Sequence, residues 1–219
     1  QHLHNGASDG RGRGTSCRRK ICVLNGAEKL SSRYFSGYRK SPDPLQQFMP
    51  DADQLEFDGV VQVAIDPEKV TEADFALPVH QCMFRFWQKN RTGGDLPPTT
   101  AVNPLAFPEA VGHIHVVQPN ADYSDFRYRL YATVVSEIGG IDMTGRWFSE
   151  SPVVSWKFYR RQLAATAKLR TPIYSENNAD YQTSVLIKWC RLLLPMADAN
   201  GTVDRILVAN VPVDRRNEA

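Results

Sequence analysis

The chain has 219 residues, 42% of them hydrophobic and 23% charged, a length that buries one sizeable core but would crowd two full domains. No stretch approaches the roughly 20 apolar residues that span a bilayer, and residues 1–30 lack the apolar segment of a secretory signal, so the expectation is a soluble, cytoplasmic protein without a membrane partner. The formal net charge of +2 hides an asymmetry: residues 1–50 hold nine Lys and Arg against three Asp and Glu, an excess of +6, and the remainder carries −4.

The basic charge is densest in "RGRGTSCRRK" (residues 11–20), which mixes arginines with glycines and could sit on phosphate or an anionic surface. A solvated tail is the plainer reading. Tyr34, Phe35 and Tyr38 lie too far from the arginines to interleave with them for base stacking, so nucleic acid is the least favoured partner. "KSPDPLQQFMPDADQ" (residues 40–54) adds three prolines and reads as a linker. Residues 1–56 are therefore expected to be a basic flexible tail and Pro-rich linker.

Residues 57–76 read as a short strand and a helix start, with Asp66 as cap and Pro67 in the first turn. In "LPVHQCMFRFWQKNRTGG" (residues 77–94) Val79, Met83, Phe86 and Trp87 recur at helical spacing, and Gly93 and Gly94 end the run. Such an aromatic stripe serves a core or a dimer seam, which makes Met83, Phe86 and Trp87 candidate interface residues. Residues 96–119, with five prolines, should be loop and single helical turns leading to a strand at about 113–118. "FRYRLYAT" (residues 126–133) alternates as a half-buried antiparallel strand does, with Phe126, Tyr128, Leu130 and Ala132 on one face. Residues 136–150 are Gly-rich and irregular, with short helical pieces expected. Residues 153–169 return to helical spacing through Val153, Trp156, Tyr159, Leu163 and Ala167, and Pro172 stops the helix. Two strands then close the chain within "LLLPMADANGTVDRILV" (residues 192–208), joined at Asn200-Gly201, where both residues accept the positive φ of a type I′ turn.

Motifs for catalysis are missing from the sequence. There is no G-x-S-x-G, P-loop, G-x-G-x-x-G or H-E-x-x-H, and the expectation is that the chain is not an enzyme. Cys17, Cys22, Cys82 and Cys190 show no zinc-ligand spacing and read as free thiols. His113 and His115 share a face of the strand and could hold a metal or haem if His80 or a carboxylate joined them. A surface or hydrogen-bonded pair is the plainer reading, so no metal ligand is assigned and haem is disfavoured.

The order of "LPPTTAVNPLAF", "FRYRLYATVVSEIGGIDMTGRWFSE", a long amphipathic helix and "KWCRLLLPMADANGTVDRILVANV" resembles the single-domain bacterial PAS proteins, a divergent branch of alphaproteobacterial type, over residues 77–213. Two positions depart from that pattern. Tyr131-Ala132-Thr133 stands where the family commonly has Gly-Thr, and Pro98-Thr99 where it has an arginine. The resemblance implies an α+β fold: a PAS-like five-stranded antiparallel sheet with helices on one face, an extra N-terminal helix, and a short tail at residues 214–219. It implies a sensory or signalling module that binds a small apolar or amphipathic molecule in its core, or passes a signal by protein–protein contact, or both. The candidate pocket residues are Tyr128, Leu130, Trp147, Phe158, Leu192 and Leu194. The alternative is a ligand-free adaptor whose partner is a signalling protein or a second copy of the chain.

Overall fold

A computed structural model describes residues 34–35, 61–152, 156–179 and 186–215. Six strands form one sheet: β1 (Val61–Ala64), β2 (Ile114–Pro119), β3 (Phe126–Leu130), β4 (Ile173–Asn178), β5 (Leu186–Ala197) and β6 (Val203–Arg215). Three α-helices among the described residues accompany it: α1 (Pro78–Lys89), α2 (Thr133–Gly139) and α3 (Trp156–Leu169). The strand order is β1-β4-β5-β6-β2-β3, and every pair is antiparallel. The α+β class is as expected, but the sheet has six strands where five were expected, because β1 adds to β4 through Val61 opposite Glu176 and Ala64 opposite Ile173.

Helices cover both faces of this sheet, not one. On the outer face α1 lays Met83, Phe84 and Trp87 against Leu192, Leu194, Met196, Leu207 and Ala209. On the inner face α3 brings Leu163, Ala165 and Ala167 to Ile173, Leu193, Ile206 and Val208. Small alanines let α3 approach the strands closely, and the apolar area removed from water on each side contributes roughly 25 cal/mol per Å². Met83, Phe86 and Trp87, expected as a possible interface, are buried in the chain's own core.

Proline at its first position starts α1, and Asn90 ends it, its side-chain amide donating to Phe86 O at 2.8 Å. The helix therefore stops before Gly93 and Gly94, which take positive φ in the turn beyond. Asp66 accepts from the Glu68 N–H, but the helix expected after it is only a turn, followed by a 3-10 turn at Glu72–Asp74. The strand expected over residues 126–133 ends at Leu130, since α2 begins at Thr133.

Position and type separate at the β5–β6 hairpin. Gly201 has φ +80°, but Asn200 does not share the positive φ of a type I′ turn. Asp198 organises a longer loop instead: its Oδ1 accepts from the N–H groups of Asn200 at 2.9 Å and Thr202 at 2.8 Å. Beyond Leu193, where pairing with β4 ends, other groups satisfy the β5 backbone. The Trp87 indole N–H donates to Pro195 O at 2.7 Å, Ala197 N–H to Pro97 O at 2.9 Å, and the Thr99 hydroxyl to Ala197 O at 3.1 Å.

Of residues 1–56, expected as a flexible extension, the structure describes Tyr34 and Phe35, and both are docked. Phe35 is 2% exposed, bridges to Phe75 and stacks on that ring at 4.9 Å, with Tyr174 at 4.8 Å. Ala76 N–H donates to Tyr34 O at 2.9 Å. The rest of the tail and its arginine cluster lie outside the described residues. Phe35→Ala should lower unfolding free energy by about 3 kcal/mol, measured by urea denaturation of the full chain. An unchanged midpoint would show that this segment contributes no core contact.

Candidate functional site

Between the inner face of the sheet and the helices lies a chamber of about 170 Å³. Its floor is the sheet, through His115 and Val117 of β2, Tyr128 of β3, Trp189, Arg191 and Leu193 of β5, and Val208 and Asn210 of β6. Its roof is α3, through Trp156, Tyr159, Gln162 and Leu163, and its side is the segment from Tyr131 to Ser151. Register explains the floor. Ile173, Leu193 and Val208 stand side by side across β4, β5 and β6, and the next row on the same face is Ser175, Arg191 and Asn210. An apolar row and a polar row thus run next to each other under α3.

The aromatic wall is held from outside the chamber. Gly145 N–H donates to Tyr128 O at 2.7 Å and Tyr128 N–H to Arg146 O at 3.0 Å, so residues 145–147 pair along β3. Asp125 accepts from the Ser149 hydroxyl at 2.6 Å, and Glu150 accepts from Trp147 N–H at 2.7 Å. This staple turns Phe148 inward, where it stacks on Tyr128 with centroids 4.3 Å apart. Tyr131 closes the group, 4.8 Å from Tyr128 and 4.6 Å from the His115 ring.

Among the expected pocket residues, Tyr128 alone lines this chamber. Leu192 and Leu194 face α1 on the other side of the sheet, one residue out of phase with the inward Leu193. Leu130 is 46% exposed at the end of β3. Trp147 is half-buried in the strip beside β3, and its neighbour Phe148 takes the inward place. Phe158 is buried on α3 edge-on to Tyr159, outside the chamber lining. Arg191 was legible as the single charge in the apolar run from Trp189 to Ala197; it carried a signal that alternation read in the opposite phase hides.

Electrostatically the chamber is nearly neutral. Burial, with a smaller push from the Arg191 charge, holds His115 down at about 3. Its Nδ1 accepts the Ala132 N–H at 3.0 Å, so the neutral ring carries its proton on Nε2. Burial pushes the Tyr131 hydroxyl up to about 12 and raises Tyr128 well above the ordinary tyrosine range. Among the described residues the lining contains no Asp, Glu, Lys or Cys, and the Arg191 guanidinium is the one formal charge they contribute at neutral pH.

Among the described residues the remaining reactive side chains do not assemble elsewhere. Burial raises the Cys82 thiol to about 11, with the Glu109 carboxylate that accepts its hydrogen bond adding to the shift, and raises Cys190 to about 12. Neither is a thiolate at neutral pH. No group of three metal-ligating side chains forms among the described residues. His113 lies in the turn before β2, its Nδ1 3.4 Å from Asn210 O, while His80 sits on α1 with Nε2 3.3 Å from Ala209 O. No helix among the described residues is long and apolar enough to cross a membrane.

Sheet, helices and internal chamber define an α+β module built around a space against its sheet. A family model described as PAS domain matches residues 76–209, and the chain belongs to that family. PAS domains are sensory and signalling modules that commonly mediate protein interactions. Neither a search of curated proteins nor one of solved structures found a match.

Burial also holds His80 down, at about 4. Both histidines lie below their ordinary 6.5, so as pH falls the unfolded chain takes up protons that the folded chain refuses. Stability is complete above 6.5 and is lost from there down towards 3 to 4. Each histidine should cost about 2 kcal/mol by pH 5. Urea unfolding at pH 7 and pH 5 should show His115→Gln losing about 2 kcal/mol less on acidification than the parent chain. Equal losses would mean that His115 protonates freely in the folded state.

Proposed function

We propose that this chain is a PAS sensory module whose chamber takes up a small amphipathic molecule and whose helices relay its presence to a protein partner. One observation carries the reading. Two amide oxygens that belong to chamber-lining residues, Gln162 Oε1 and Asn210 Oδ1, are buried without a hydrogen-bond partner among the described residues. Gln162 is fixed in that orientation because its Nε2 donates to Gln62 Oε1 at 2.9 Å. An unmet buried acceptor costs about 1–3 kcal/mol, and a guest with a donor group would recover it.

Three features support the same reading. The chamber combines apolar walls with few polar groups, as small-molecule sites do. Its described lining lacks a carboxylate or thiol, and its histidine stays neutral, so it is equipped to hold a molecule and not to transfer protons. Its lining joins the sheet to α3 and, through Val135, to α2, so a guest that touches all three favours one arrangement of the helices over another. A homodimer seam on α1 lacks its expected residues, since Met83, Phe86 and Trp87 are turned inward and Arg85 and Lys89 face out.

Native mass spectrometry of the purified full chain should show an added mass that disappears on denaturation. Leu193→Trp, which fills the chamber from β5, should abolish it. Leu192→Trp, on the opposite face, should keep the added mass and lower stability by about 1–3 kcal/mol through overpacking against α1. An adduct that survives Leu193→Trp would place the guest elsewhere and end this reading.

A further inference from the structure

We propose that the guest is a small organic carboxylate, held by its charged end on Arg191 and by its apolar body on the rings and aliphatic walls of the chamber. This rests on the reading of the chamber as a ligand site and goes further by naming the chemistry of its ligand.

Arg191 is 5% exposed and sits at the middle of the sheet, between Ser175 of β4 and Asn210 of β6. Its partners are neutral. Nη1 donates to the Asn177 side-chain oxygen, and the guanidinium carbon lies 4.1 Å from the centre of the Tyr159 ring. No carboxylate pairs with it among the described residues. The same strands treat their other buried charge differently. On the opposite face Glu176, 1% exposed, receives the Lys188 ammonium at 2.9 Å and the Tyr174 hydroxyl at 2.9 Å.

A buried charge without a counter-charge is costly, and an apolar side chain of similar volume would stabilise the sheet better at this position. Arginine is the side chain whose fixed fork of donors matches a carboxylate in two parallel hydrogen bonds. One guanidinium, with no other charge among the described lining residues, balances one negative charge, which favours a monocarboxylate over a phosphate dianion. The row beside Arg191 is apolar, and Phe148 and Trp156 add ring surface, so the rest of the guest is hydrocarbon or aromatic. Cavities of about 150 Å³ accommodate benzene, and at about 170 Å³ this chamber fits a one-ring or short-chain acid. The amide oxygens of Gln162 and Asn210 provide for a hydroxyl or amine donor on that body.

The test is calorimetric titration of the full chain, refolded from urea to strip any carried-over guest. The probes are two pairs matched in shape and different in charge: 4-hydroxybenzoate against 4-hydroxybenzamide, and hexanoate against hexanamide. At least one carboxylate should bind about tenfold or more tightly than its amide. Arg191→Met should erase that preference while leaving the unliganded melting temperature equal or higher, and Arg191→Gln provides the same comparison if the methionine variant does not fold. Equal binding of acid and amide would overturn the carboxylate assignment and leave the chamber a ligand site. Binding of none of the four would overturn the ligand site itself. A preference that persists in Arg191→Met with a lowered melting temperature would make Arg191 a structural residue.

Discussion

Burial of β5 on both of its faces is the constraint from which the rest of this structure follows. Every residue from Cys190 to Ala197 is buried, with Leu192, Leu194 and Met196 packed on the α1 side and Arg191 and Leu193 facing the chamber and α3. A strand in that position has no solvent side to which it can send a polar group. Each polar atom near it must be paired, kept neutral or given a cavity. Glu176 is paired with Lys188, His115 is kept neutral, and Arg191 is given the chamber.

The same constraint decides what could be read from the sequence. Where one face is exposed, alternation carries the phase: Arg127 and Arg129 mark the outer side of β3 and place Tyr128 inward. In β5 the run Leu192-Leu193-Leu194 is apolar in either phase, so nothing local distinguishes the chamber side from the α1 side. The expected pocket therefore took Leu192 and Leu194, which face α1, in place of Arg191 and Leu193, which line the chamber. Trp147 and Phe148 were exchanged for a related reason, since only the pairing of residues 145–147 with β3 fixes which ring turns inward. α1 and α3 were legible because one-sided burial leaves helical spacing intact, as in Met83, Phe86 and Trp87, whereas α2 starts inside the stretch expected as strand. β4 was not legible, because "IYSENN" buries polar side chains whose charged partners, Lys188 for Glu176 and Arg191 for Asn177, come from β5. Nor could the docking of Phe35 be foreseen, as it depends on Phe75 and Tyr174 meeting it through the tertiary fold.

The chemistry of the chamber follows from which groups are denied a charge. His115, Tyr128 and Tyr131 present rings and dipoles, and the field inside is that of a single guanidinium softened by the Tyr159 face. If the chamber holds the proposed guest, recognition there rests on shape and on one electrostatic contact.

The indole of Trp87 has a consequence outside the core it fills. Past Leu193 the β4 side of β5 has no neighbouring strand among the described residues, and such an open margin is a template on which another chain can add a strand and begin to aggregate. Three devices occupy it. Pro195 removes the donor at one place, the Trp87 N–H takes the free carbonyl there, and the Pro97–Thr99 turn takes Ala197. Seating α1 therefore also guards the protein against self-association: the helix that covers the outer face carries the group that seals the margin. A lesion that unseats α1 exposes apolar surface and strand margin together, so its damage falls first on solubility and only then on the sheet.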